Sequence, residues 1–285
     1  MKRSSFAYNL INVLVLLVAA LIFFLNYRPA HFLSGMRADE IVVILMAVII
    51  VHFLKAVRLY LALYGNGLSL SDYCKTYCKV TPVSILLPFK SGELYRMYCY
   101  GYQINNMLKG VVTVLLDRFM DTIALVTLMI ATWIIYGGVI IPLAYLLMIF
   151  LLGVIIIYGA FPGIYSYWKK YILRAVATPR KLRALRFLEH TNRAYIEMAN
   201  VTKGRGIILY MLSLLAWVAE ISSVVILNRL DRHADVVSKI AEYLTSALGN
   251  NHSIELRLFI FISVILMIVI YLIVKAIDTF IKERH

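Results

Sequence analysis

Two short charged stretches in an otherwise apolar sequence carry the residue types and spacings that could do chemistry. In PFKSGELYRMYCYGY (88–102), Glu93 and Arg96 stand three apart. A helix there puts them on one face, with Tyr100 a turn further on. In VVTVLLDRFMDTIALVTLMIATWII, Asp117 and Asp121 are four apart and Arg118 lies three before Asp121. An isolated charge at the centre of a bilayer costs about 2.5–3.5 kcal/mol, so each needs a counter-charge or a ligand. The Asp–Arg–Asp set neutralises itself in part and leaves one excess negative charge. If Arg96 faces that span, the two sets form one network across a cavity. Arg96 or Arg118 would then hold a phosphate by charge-assisted hydrogen bonds. Glu93, Asp117 and Asp121 would set the local field and receive a cationic headgroup.

Two further spans contribute ionisable groups. Glu220 lies near the centre of LYMLSLLAWVAEISSVVILN, with no basic residue in its own run. Its side chain is too short to snorkel, so it is protonated, faces water, or pairs with a group such as Arg58 or Arg96. Lys55 and Arg58, in VHFLKAVRLYLAL, lie in the second half of an earlier apolar run. Arg58 has two readings, snorkelling to the headgroups or joining the site. The plain alternative for the whole set is helix glue, each polar contact being worth about 0.6 kcal/mol.

Other chemistries find little purchase. The six histidines, at 31, 52, 190, 233, 252 and 285, stand apart from the charged stretches. Cys74 and Cys78 share a helical face but have no histidine beside them, so they read as packing residues and no metal site is expected. Arg118 between Asp117 and Asp121 argues against Mg²⁺. No G-x-x-x-x-G-K-S/T pattern occurs, so no directly bound ATP and no cofactor is expected.

The elements that must position these residues are membrane helices. The chain has 285 residues, is 62% hydrophobic and 15% charged, and has a mean hydropathy of +0.83. Runs of roughly 20 apolar residues recur. The net charge of +14 is concentrated at 161–206, where ten basic residues face two acidic ones. That concentration is a topology signal and an attraction to anionic headgroups rather than a nucleic-acid surface. Spans are expected at about 8–26, 41–63, 110–136, 139–160, 206–228 and 256–277. They form an all-α polytopic bundle with both termini cytoplasmic and a tight hairpin at Tyr136-Gly137-Gly138. The whole of 1–285 reads as one integral membrane domain. It has a cytoplasmic amphipathic segment at about 161–206, with apolar positions at Leu173, Val176, Leu182, Leu185 and Leu188, and an extracytoplasmic loop at about 229–255. VTPVSILLP, bracketed by Pro82 and Pro88, is apolar yet too short to cross. It predicts a re-entrant or broken-helix segment near 80–102, or else a short interfacial helix pair.

Pro88, Gly92-Glu93 and Arg96, followed by Asp117-Arg118-x-x-Asp121, resemble the lysylphosphatidylglycerol synthase transmembrane family. In pattern form they are P-x-x-x-G-E-x-x-R and then D/E-R-x-x-D. Arg58 and Trp217-x-x-Glu220 are similar to further family features. The resemblance implies a membrane domain that moves lipids between leaflets, with Glu93, Arg96, Asp117, Arg118 and Asp121 lining a lipid site. The larger members carry a soluble synthase domain after the membrane part. This chain ends at His285, so synthase activity is not expected, and a separate lipid-modifying enzyme would supply the lipid. The expected function is that of a flippase-like or lipid-binding protein of the inner or plasma membrane, as monomer or oligomer. Its ligand would be an anionic, aminoacylated or polyprenol-linked lipid. The alternatives are an integral membrane transferase or hydrolase acting on a lipid headgroup, and a small-solute transporter.

Overall fold

The computed structural model describes residues 2–26, 37–65, 67–87, 91–136, 142–174, 178–231, 240, 242–244 and 254–283. They are helices and tight turns, with no strand among the described residues. The helices are α1 (Lys2–Asn26), α2 (Ala38–Leu63), α3 (Leu70–Leu86), α4 (Ser91–Gln103), α5 (Met107–Tyr136), α6 (Pro142–Arg174), α7 (Pro179–Thr202), α8 (Gly206–Asp231) and α9 (Ile254–Glu283). An all-α polytopic bundle is therefore the observed class.

Five of the helices are long and apolar enough to cross a membrane: α1, α2, α6, α8 and α9. The sixth expected span, 110–136, belongs to α5. At 30 residues it is about 45 Å long, but Asp117, Arg118 and Asp121 sit in its first half. Its core-facing side is polar there because it answers charges on α2 and α4, as described below. Side chains on the outside of the spanning helices are largely apolar, as hydrocarbon requires. On α1, for example, Leu10, Leu14, Leu17, Leu21 and Phe24 are exposed, while Asn12 and Ala19 are buried.

The segment near 80–102 is a helical hairpin. Pro82 lies inside α3 rather than at its start, so that helix begins well before the apolar run. The chain breaks after Leu87 and resumes as α4; Pro88 itself lies outside the described residues. Two glycine contacts make the hairpin and its return compact. A Cβ on Gly92 would lie 2.5 Å from Ser84 Cα, so α4 sits against the α3 backbone. A Cβ on Gly110 would come within 2.5 Å of Gly101 Cα, so α4 and α5 cross backbone to backbone. Between them, Asn105 takes a left-handed φ of 54° and Asn106 N–H donates to the Gly101 carbonyl at 2.9 Å, closing α4. Asn106 Oδ1 then accepts from Lys109 N at 3.1 Å and caps α5.

The basic segment 161–206 divides differently from its periodicity. Lys169, Lys170 and Arg174 ride on the last turns of α6, a 33-residue helix. The rest forms α7, which starts at a Thr178 cap on Lys181 N. One side of α7 docks on α6, with Tyr195 against Tyr158 and Phe161 and with Glu189 2.8 Å from Lys169. Val176, Gly137, Gly138 and most of the 229–255 loop lie outside the described residues.

Candidate functional site

The site is assembled by four helices at one end of the bundle. The level is set by Arg205, which donates to the Leu61 carbonyl at 3.0 Å and stacks 5.4 Å from the Tyr64 ring. The end of α2 and the start of α8 are therefore side by side. This is the basic end, flanked by Lys203, Arg205 and Lys109. Arg58 lies about one turn in from Leu61. From the Gly101–Gly110 crossing, Arg96 is about 8 Å back along α4 and Asp117 about 10 Å on along α5, at 1.5 Å per residue. The close crossing is what lets them meet.

The charges close into a ring. Arg58 Nε donates to Asp117 Oδ1 at 2.7 Å, and its Nη1 to Asp121 Oδ1 at 2.8 Å and to Ser213 Oγ at 2.6 Å. Asp121 Oδ2 is 3.8 Å from Arg118 Nη1, and Arg118 Nη2 is 2.7 Å from Glu93 Oε1. Glu93 Oε2 lies 3.7 Å from Arg96 Nη1, and Arg96 Nη2 lies 3.2 Å from Asp117 Oδ2, which completes the circuit. Three carboxylates and three guanidinium groups alternate. The excess negative charge expected of Asp117, Arg118 and Asp121 alone is cancelled, because Arg58 and the Glu93–Arg96 pair join them.

The members differ in access. The side chains of Asp117, Arg58 and Arg96 are almost wholly buried, whereas Arg118 is 43% exposed. Snorkelling does not describe Arg58, which is tied to three partners inside the bundle. The open edge of the ring is the Arg118–Glu93 pair. The Arg96 contacts are ion pairs without hydrogen-bond geometry. Glu93 Oε2, Arg96 Nε, Asp117 Oδ2 and Arg118 Nε are buried polar atoms with no hydrogen-bond partner among the described residues.

Glu220 stands apart from the ring, roughly two turns further along α8 than Ser213. Its partners are not Arg58 or Arg96. Lys55 Nζ is 3.5 Å from its Oε2, and Tyr243 Oη donates to its Oε1 at 2.6 Å. Arg58 is committed to the two aspartates; Lys55, one turn along α2, is the cation at the right height. Trp217 links the two levels, donating Nε1–H to the Asp121 carbonyl at 3.2 Å and lying 5.6 Å from Lys55 Nζ.

Sequence reasoning missed Ser213 and Tyr243. Ser213 was within reach, since Ser213, Trp217 and Glu220 follow the four-then-three spacing of one helical face. Tyr243 carried no such signal, coming from a segment outside the long helices. Among the described residues no group of His, Cys, Asp and Glu is arranged to hold a metal ion.

A family model described as the lysylphosphatidylglycerol synthase TM region matches residues 9–250. No curated protein and no solved structure matches the chain.

Proposed function

The chain belongs to the lysylphosphatidylglycerol synthase transmembrane family, membrane proteins related to lipid handling, and on that ground we propose that its charged ring receives a lipid headgroup for movement between leaflets. The observation that carries the reading is the ring's open edge. Arg118 is accessible, and it and its neighbours retain unpartnered polar atoms. A lipid phosphate approaching Arg118 would take over its donors from Glu93 Oε1 and Asp121 Oδ2. Glu93, once released, is the natural acceptor for a cationic amine on the same headgroup. Because the ring is neutral overall, a headgroup that brings one phosphate and one amine enters it without adding net charge. Arg96 and Asp117, closed off behind the edge, hold the geometry rather than meet the lipid first.

A flippase-like role follows if the exchange is reversible. It is tested in proteoliposomes carrying a fluorescently labelled phosphatidylglycerol, with dithionite quenching the outer leaflet. Wild type should speed loss of the protected inner-leaflet signal, and Arg118→Gln should abolish most of that gain. Equal rates in empty vesicles and in vesicles with wild-type protein would end the translocation reading.

A further inference from the structure

A second charged place lies outside the ring, where α1 meets the α3–α4 hairpin. Asn12 is buried in the stripe by which α1 docks. Its Oδ1 accepts from Tyr95 Oη at 2.6 Å and from Lys79 Nζ at 3.2 Å, with Cys99 Sγ at 3.7 Å. Lys79 Nζ also donates to Tyr8 Oη at 3.1 Å and lies 5.1 Å from the centre of that ring. Tyr8 is fixed in turn by stacking on Tyr102, at 4.0 Å between centroids. All the partners of the ammonium group are neutral side chains.

That makes Lys79 an exception along its own helix. Lys75, one turn earlier, has Asp278 at 2.7 Å and Asp72 at 3.7 Å. Lys55 has Glu220, and Lys109 has Glu197 at 3.9 Å. Among the described residues no carboxylate lies within ion-pair distance of Lys79. An ammonium carries three N–H donors, and the Tyr8 and Asn12 oxygens occupy two. Lys79 is half-buried, and the cation–π contact, worth about 0.5–2 kcal/mol, brings it no opposite charge. Nor does the side chain reach out along α3 towards solvent; it turns into the seam and onto a buried asparagine.

We propose that Lys79 anchors a second headgroup site, taking the phosphate of an anionic phospholipid whose tails lie along the exposed apolar face of α1. A phosphate oxygen accepts the third N–H and supplies the missing negative charge. The aliphatic surface for the acyl chains begins at Leu16, one turn on from Asn12 and exposed, and continues round α1 through Val13 to Leu17. The site uses no ring residue, so it stands or falls independently of the function proposed above. Free phosphate shares the recognising chemistry but not the tails.

The test is native mass spectrometry of the full chain in detergent, titrated with dioleoylphosphatidylglycerol or dioleoylphosphatidylcholine. In an Arg118→Gln background, which removes the ring as a competing site, Lys79→Gln should bind the first phosphatidylglycerol roughly tenfold more weakly. In that background Lys79→Arg and Lys75→Gln should bind it as the parent does. Parent-level occupancy in a Lys79→Gln protein of unchanged melting temperature would overturn the proposal. Should that variant not fold, acetylation of Lys79 in the wild-type chain gives the same answer. Phosphatidylglycerol should slow it several-fold and phosphatidylcholine should not, and equal rates would overturn the site. Protection by millimolar inorganic phosphate as strong as that by the lipid would overturn the assignment to a phospholipid.

Discussion

In the ring, three carboxylates and three guanidinium groups alternate, so each charge has an opposite charge on either side. In the α1 seam a single ammonium rests on a hydroxyl, a carboxamide oxygen and the face of a ring. Both places are made by α4, which presents Glu93 and Arg96 to one side and Tyr95 and Cys99 to the other. The ring is electrically complete and can take a ligand only by exchanging partners. The seam is incomplete and gains a counter-charge when a ligand arrives. A ligand that must come and go suits the first arrangement; one that stays suits the second.

The largest expected effect on that contrast comes from Asp117→Asn. Among the described residues Asp117 alone is a carboxylate shared by the two most buried guanidinium groups, and removing one partner of a buried pair costs about 3–5 kcal/mol. Thermal unfolding in detergent should show that loss, and Arg58→Gln combined with Asp117→Asn should recover part of it. A shift no larger than that of a surface substitution would mean that the ring does not bear on stability. Next comes Gly110→Val, which forces α4 and α5 apart at a backbone contact and should cost about 1–3 kcal/mol. Since α4 serves both regions, this variant should weaken lipid binding at the ring and at Lys79 together. Loss at one alone would show that the two are not joined through α4.

Arg118→Gln should divide stability from binding. Its side chain is 43% exposed, so screening limits the stability loss to about 1 kcal/mol or less, while lipid retention falls. The smallest effect lies at α7, away from both regions. Lys169 and then Tyr165 hold the Glu189 carboxyl below its usual range. A depressed carboxyl contributes stability above its ordinary value of about 4.3, and that contribution is lost as pH falls below it. The hydrogen-exchange protection of α7, taken relative to the intrinsic amide rate at each pH, should accordingly fall below about pH 4, with that of the ring and seam helices unchanged.

Much of this architecture was legible from residue spacing. Glu93 with Arg96, and Asp117 and Arg118 with Asp121, announced themselves because charges are costly in hydrocarbon and their intervals match a helical face. What spacing could not supply was the partner across the bundle. Arg58 read equally well as a snorkelling residue, because only tertiary packing decides whether its guanidinium turns outward or onto Asp117. Glu220 was recognised as needing a partner, but Lys55 was not singled out, since the relative heights of α2 and α8 are fixed by contacts such as Arg205 on the Leu61 carbonyl. The proline-bracketed run reads as a broken helix near 80–102, and the break falls after Leu87; where its first arm begins, at Leu70, is fixed by packing. Pro82 is accommodated inside α3, and the hairpin is closed by the fit of Gly92 on Ser84, which no periodicity records.

The most direct measurement is mass spectrometry of the lipids that co-purify with wild type and with Arg118→Gln in mild detergent. A lipid headgroup at the open edge predicts one anionic or aminoacylated species enriched over bulk membrane in wild type. That enrichment should be lost in a folded Arg118→Gln protein, while any lipid held through Lys79 stays. The same bulk-like lipid mixture in both proteins would contradict it, and would leave the ring as an internal brace between α2, α4, α5 and α8.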